Sequence, residues 1–354
     1  MAEKIHLKGF NGIRAIGVVS VVISHTPIWG IPGTYRLSMG LAQYAVTIFF
    51  ALSGFLITYL LFVERKKTGI SIRNFYTRRI LRIWPMYFLY LLTVLIVLYI
   101  YSPEQLPGSL PWYLFFAANV PYLLKTALPY LTHYWTLGVE EQFYIFWPWV
   151  IKSAKKVLRT LIIFTACFLA LKLFFRFIYF QWGNITPLYI ISNTRFECMS
   201  MGGIAALLCL EKNRHFLKIA TNRITEILCW SLLLVMIINK FYITPMLDHD
   251  LAALVGIGLI VNMGFNDKPL LNLETRYFDL VGKLSYSMYI IHPLVITFYA
   301  FLLNRLVMNA IVKTTLMYAG TLLFTFLISW FLYEFFEKRF LQMKDKFTTV
   351  KNSA

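Results

Sequence analysis

Charge is what this 354-residue chain has least of: Asp, Glu, Lys and Arg together make up 14%, against about 25% in an ordinary water-soluble domain. Long polar stretches are missing as well. The two longest loops between apolar runs, 63 to 83 and 102 to 133, hold about 20 to 30 residues, too few for a soluble domain of about 50 or more. Chemistry is therefore confined to the apolar bundle or its rims. Cysteine is scarce too. Cys167, Cys198, Cys209 and Cys229 lie in or at the ends of apolar segments, where buried thiols are the default and a structural disulfide is not expected. No CxxC or mixed Cys/His spacing marks a metal site, so no metal is expected. Acidic residues number 16 against 34 basic ones, a formal net charge of +18. The basic residues fall in short clusters between apolar runs, with no basic stripe interleaved with stacking aromatics, which argues against nucleic acid as a partner.

Apolar residues are abundant, at 59% of the chain, and aromatics reach 18%, with 31 Phe and 22 Tyr. The mean hydropathy is +0.65. This composition belongs to lipid solvent and predicts an all-α, polytopic integral membrane helical bundle. Runs able to span lie near 12 to 30, 41 to 62, 84 to 101, 134 to 151, 160 to 177, 195 to 210, 226 to 241, 250 to 265, 284 to 303 and 312 to 334, about ten transmembrane helices. The eighth is the weakest, being short and carrying Gly256, Gly258 and Gly264. The first has a basic flank like a signal peptide. It has no small-x-small cleavage pattern and reads as a retained helix. The Pro-bounded segment 110 to 124 reads as interfacial or re-entrant. With the N-terminus inside, 26 of the 34 basic residues fall in inner regions, so both termini are expected to be cytoplasmic. Residues 1 to 340 form the expected transmembrane domain and 341 to 354 a short polar tail.

Ionisable groups inside a span are expensive and mark candidate sites. Arg14 and His25 are eleven residues apart, within about 20° of one helix face and about 16 Å along its axis. Glu140 and Glu141 enter the fourth span at a depth judged similar to that of His25. A carboxylate orienting a histidine makes a general base able to deprotonate a hydroxyl. Arg78, Arg79 and Arg82 open the third span, and guanidiniums one turn apart call for an anion, such as a nucleotide-bearing acyl donor or a lipid headgroup. Blander roles stay open: topology anchoring for the arginines, hydrogen bonds across helices for His25 and the two glutamates, packing or kink stabilisation for His292 beside Pro293, mutual pairing for Arg195 and Glu197, and a close helix contact at Ser53 and Gly54.

Six blocks in order resemble acyltransferase family 3, the membrane proteins that include O-antigen and exopolysaccharide O-acetyltransferases. FNGIRAIGVVSVVISH (10 to 25) looks like that family's Arg-x10-His helix. FFALSGFLI (49 to 57), RRILRIWPMYFL (78 to 89), WTLGVEEQFYIFWP (135 to 148), TRFECMSMGGIAALL (194 to 208) and LSYSMYIIHPLV (284 to 295) resemble its later signatures. Glu197 stands where members often show Asp, and the esterase-like extension of some members is not seen, which implies a stand-alone transferase.

The resemblance implies transfer of an acyl group, most often acetyl from acetyl-CoA, to a carbohydrate hydroxyl at or beyond the outer face of the bacterial inner membrane. His25 would be the essential histidine, with Arg14 and Arg78, Arg79 and Arg82 binding the donor. Glu140 or Glu141 would orient His25 for direct attack by the sugar hydroxyl. Ser53 and Cys198 are unsupported candidates for an acyl-enzyme route. Trp29, Tyr130 and Trp135 are placed either to stack on sugar rings or to anchor the rim. The competing class is a multi-span carrier of a polar or lipid-linked substrate, which predicts polar residues spread along several helices and internal inverted repeats. Neither pattern is clear here.

Overall fold

The computed structural model describes residues 3–5, 7–27, 34–105, 108–238, 247–348 and 350–352; Trp29 lies outside the described residues. The chain is an all-α bundle. Its helices are α1 (Phe10–His25), α2 (Thr34–Lys67), α3 (Ile72–Tyr101), α4 (Leu110–Leu114), α5 (Asn119–Leu123), α6 (Trp135–Ser153), α7 (Val157–Trp182), α8 (Thr186–Thr194), α9 (Phe196–Leu210), α10 (Arg214–Ala220), α11 (Arg223–Ile237), α12 (Asp248–Phe265), α13 (Arg276–Asn304), α14 (Ala310–Leu332) and α15 (Lys338–Lys344). Several start on side-chain caps that satisfy otherwise orphaned backbone N–H groups: Ser71 for α3, Asn222 for α11, Thr275 for α13 and Asn309 for α14. A three-residue parallel pair, β1 (Glu3–Ile5) with β2 (Val350–Asn352), joins the two ends of the chain on one end of the bundle, called here the terminal end.

Each of the ten apolar runs is helical over most of its described residues. Six helical stretches are individually long and apolar enough to cross a bilayer, and counting the pair α10 and α11, bent by 55°, as one span makes seven. The expected ten is not reached on length and composition, for local reasons. α1 and α9 have 16 and 15 residues, about 24 and 22 Å at 1.5 Å per residue, short of a hydrocarbon core of about 30 Å. α6 carries Glu140, Glu141 and Lys152. The segment 110 to 124, expected to be interfacial or re-entrant, folds as the two short helices α4 and α5.

Close backbone contact fixes the centre. A Cβ at Gly54 of α2 would collide with the Met199 carbonyl of α9, and one at Gly202 would collide with the Ala51 carbonyl. Small residues thus let α2 and α9 approach at van der Waals distance, the device by which helices associate in lipid. α1 meets α13 in the same way, with Gly282 against the Asn11 carbonyl. Asn11 Nδ2 donates to Asp279 Oδ1 at 2.7 Å, fixing the register of that pair at the terminal end.

Candidate active site

Toward the terminal end the bundle encloses a cavity of about 550 Å³. α1 contributes Arg14, α3 contributes Arg78, Arg79 and Arg82, α6 contributes Thr136 and Glu140, and α13 contributes Tyr286 and Tyr289. The four arginines are not equivalent. Arg78 Nη2 reaches Glu64 Oε2 at 2.7 Å, where the Glu64 side chain is 3% exposed, and its Nη1 donates to the Phe347 carbonyl at 2.8 Å. Its charge is already matched. Arg14 Nη1 donates to Asn11 Oδ1 at 2.9 Å. Arg79 lies over the Phe75 and Tyr144 rings at 5.8 and 5.7 Å, and its buried Nε has no hydrogen-bond partner. Among the described residues Arg82 makes no hydrogen bond or ion pair. With Arg78 and Glu64 set aside as a pair, Arg14, Arg79, Arg82 and Lys344 face this space against Glu140 and Asp345 among the described residues, leaving a cation surplus suited to an anionic ligand.

One wall of the cavity is a hydrogen-bonded pair, Thr136 Oγ1 and Tyr289 OH at 2.7 Å. Behind it stand three histidines. Ring centroids are 5.0 Å apart for His25 and His292, and 5.2 Å apart for His133 and His292. His133 and His292 are buried, whereas His25, at the last turn of α1, keeps an exposed face. Carbonyl oxygens only accept, so they set the tautomers. Pro293 has no N–H to offer the Tyr289 carbonyl four residues back. His292 Nδ1–H takes that acceptor at 2.7 Å, which leaves His292 Nε2 with its lone pair. His25 Nδ1 lies 3.0 Å from the Val21 carbonyl and 3.2 Å from His292 Nε2. Both neighbours are acceptors, so His25 Nδ1 carries the hydrogen and neutral His25 presents its lone pair on Nε2.

This corrects one expectation: His25 meets His292, and no hydrogen bond joins it to Glu140 or Glu141 among the described residues. The residue at the depth of the imidazoles is His133, which sits in the 3-10 turn Thr132–Tyr134 before α6. Glu140 lies seven residues further on, about 10 Å deeper along the axis. There it accepts a hydrogen bond from Ser53 Oγ and lines the cavity. Glu141 is half-buried, does not line the cavity, and has one buried oxygen without a hydrogen-bond partner.

The pairing of Arg195 with Glu197 is also replaced. Arg195 adopts a left-handed backbone conformation (φ 51°) between α8 and α9, so the two side chains leave the break in different directions. Arg195 donates to Thr47 Oγ1 at 2.9 Å and contacts His249 Nε2 at 3.0 Å. Glu197 instead accepts from Lys172 Nζ at 2.5 Å, and Lys172 also reaches Asp250 at 3.0 Å. Glu197, Cys198 and Asp250 bring ligand atoms within 4.8 Å of one another, and the cation they surround is the Lys172 ammonium. Sequence reasoning passed over Lys172, although a lone lysine within an apolar run signals a buried counter-charge. Trp135 stacks on Tyr122 at 5.0 Å and lies under Arg195 at 5.2 Å.

A family model described as an acyltransferase domain matches residues 7–334. The chain belongs to acyltransferase family 3. It is similar to O-acetyltransferase OatA of Staphylococcus aureus strains NCTC 8325 / PS 47, COL and MRSA252, each 27% identical over 326 residues that cover 83% of this chain and 51% of the relative. The chain thus spans about half the length of the curated relatives it matches. No solved structure matches it. This member of the family is an integral, multi-pass membrane protein, and the four arginines of the cavity and the three histidines fall within the matched residues.

Proposed function

We propose that this family-3 acyltransferase moves an acetyl or other short acyl group from acyl-CoA to a hydroxyl of a cell-surface or secreted carbohydrate. The observation that carries this reading is one continuous arrangement: a cavity with surplus guanidinium charge ends at Thr136 and Tyr289, and the other side of that wall holds a histidine whose tautomer leaves Nε2 free to accept a proton. Arg14, Arg79 and Arg82 hold the donor's phosphates. Arg78, clamped by Glu64, positions the segment around Phe347 instead of meeting the donor directly. The donor's pantetheine arm is of the same order of length as the roughly 16 Å from Arg14 to His25, so the thioester comes up to the histidines when the Thr136–Tyr289 pair parts, while the nucleotide stays among the arginines.

The acceptor oxygen attacks the thioester carbonyl carbon as His25 Nε2 removes its proton. The carbon–sulfur bond then breaks, the thiolate leaves, and the proton passes from His25 to the sulfur, giving the ester and free CoA. Hydrogen bonding through His292 orients the ring, the part first assigned to Glu140 or Glu141. Glu140 tempers the cation cluster and holds Ser53.

The same reading has ten crossings with both chain ends cytoplasmic. Its supports are the β1–β2 pair, which keeps the two ends on one side as an even number of crossings requires, and the concentration of basic residues at that end. The bundle's shielding of the short helix α9, where 10 of 15 residues are buried, removes the need for it to match the bilayer alone.

The test uses membranes containing the protein, acetyl-CoA labelled in the acetyl group, and extracted surface glycan. Label appears in the glycan with wild type and is lost in His25→Ala at equal membrane insertion. A His25→Ala protein that transfers label at the wild-type rate, or a wild type that transports polar solutes and transfers none, removes this reading.

A further inference from the structure

Past the family match at 334 the chain folds back onto the bundle. α14 runs through a π turn (Tyr333–Glu337) into α15, and a 3-10 turn (Asp345–Phe347) follows. This segment is fastened at three places. Ser287 Oγ donates to Glu337 Oε2 at 2.5 Å, Arg78 Nη1 donates to the Phe347 carbonyl at 2.8 Å, and β2 pairs with β1. Thr348 Oγ1 closes the last turn on the Lys344 carbonyl at 3.0 Å. The consequence is that Lys344, Asp345 and Thr348 form part of the cavity wall, beside Arg14, Arg79 and Arg82.

Lys344 stands out among the lysines of this segment. Lys338 is paired with Glu334 at 2.7 Å, and Lys346 is exposed and outside the cavity wall. The Lys344 ammonium is half-buried and makes no hydrogen bond or ion pair among the described residues. Holding an unpaired ammonium in a half-closed space beside three guanidiniums is unfavourable unless an anion joins them. An ammonium carried on a fastened segment at the terminal end is therefore a preformed fourth arm of an anion site.

We propose that Lys344 is a donor-binding residue, supplied by the C-terminal segment from outside the family match, which contacts a phosphate of acyl-CoA together with Arg79 and Arg82. The proposal rests on the acyl-CoA reading above. It makes the expected polar tail part of the donor site.

The experiment measures coenzyme A binding calorimetrically to the purified full-length protein in lipid nanodiscs, at low and high salt. Lys344→Ala and the near-isosteric Lys344→Gln weaken binding about tenfold at low salt, the scale of one charge-assisted contact. That difference shrinks at high salt. Lys344→Arg recovers most of the affinity, and Lys346→Ala binds as wild type. Pantetheine, which lacks phosphate, binds wild type and all three Lys344 variants alike. Folding is checked by melting temperature, and the Gln and Arg variants keep the test open if Ala misfolds. Wild-type affinity in Lys344→Gln, or equal losses in the Lys344 and Lys346 variants, overturns the proposal while leaving the acyl-CoA reading intact. A wild type that binds no coenzyme A removes both.

Discussion

His292 Nε2 lies 3.2 Å from His25 Nδ1, and the Tyr289 carbonyl freed by Pro293 is what points that nitrogen at its neighbour. A proline one residue after a histidine thus does more than bend α13. It frees an acceptor that selects a tautomer, and the tautomer passes across the helix interface to His25. Orientation of the base by a neutral ring differs from orientation by a carboxylate, because it fixes geometry without adding a charge next to the proton-accepting nitrogen.

It follows that His292 is a positioning residue whose loss is partial. His292→Phe should lower acetyl transfer about 10- to 100-fold, within the range general-base assistance supplies, whereas His25→Ala removes transfer. His292→Gln, which offers an amide oxygen to His25 Nδ1–H, should recover part of the loss. Equal rates for His292→Phe and wild type in the labelled-acetyl assay would show that the ring pair has no part in the chemistry.

Arg78 and Arg82 share a helix face one turn apart and should separate cleanly by assay. Arg82 makes no hydrogen bond or ion pair among the described residues, so Arg82→Gln should raise KM for acetyl-CoA about tenfold with little change in melting temperature. Removing Arg78 strands the Glu64 carboxylate. Arg78→Gln should destabilise the protein by roughly 3 kcal/mol, and joint replacement by Arg78→Met and Glu64→Leu should recover much of that. A KM effect confined to Arg78 would reverse the two assignments.

Much of the architecture was legible because lipid solvent leaves so few choices: each apolar run became largely helical, and of the pair Ser53 and Gly54 the glycine proved to be the close contact that its small size suggested, whereas Ser53 faces the cavity. What periodicity could not give was depth between helices. Counting inward from Trp135 put Glu140 level with His25, but the 3-10 turn at Thr132–Tyr134 had already carried the chain to the imidazoles and left the carboxylate two turns deeper. Partners from distant segments were equally out of reach. Lys172 finds Asp250 on a helix 78 residues away, and Arg78 finds a carbonyl 269 residues away. Neither pairing leaves a trace in local sequence.

The α2–α9 contact gives a test of the packing alone. Gly54→Val and Gly202→Val each place methyl groups where a carbonyl of the other helix already stands, and neither backbone can yield without moving its whole helix. Both variants should fail to give a monodisperse peak after detergent extraction. Gly69→Ala makes a weaker control: a Cβ there meets open space, although its φ of 80° carries strain of about 1 kcal/mol.

The Lys172 cluster bears on stability, and its sign pattern separates an ion triad from a cation-binding site. The Lys172 and Glu197 side chains are 0% exposed and Asp250 is 8% exposed, so deleting the ammonium leaves two carboxylates facing each other without the cation that bridges them. Lys172→Met should destabilise the protein by about 3–5 kcal/mol, read as a large drop in melting temperature. Neutralising the carboxylates in the same chain, as Lys172→Met with Glu197→Gln and Asp250→Asn, should restore much of it, because no unpaired charge then remains. Were the two carboxylates and Cys198 a seat for a divalent ion with Lys172 as a bystander, the pattern would invert: Lys172→Met would be mild and would gain stability on adding Zn²⁺, and the triple variant would be the least stable of the set.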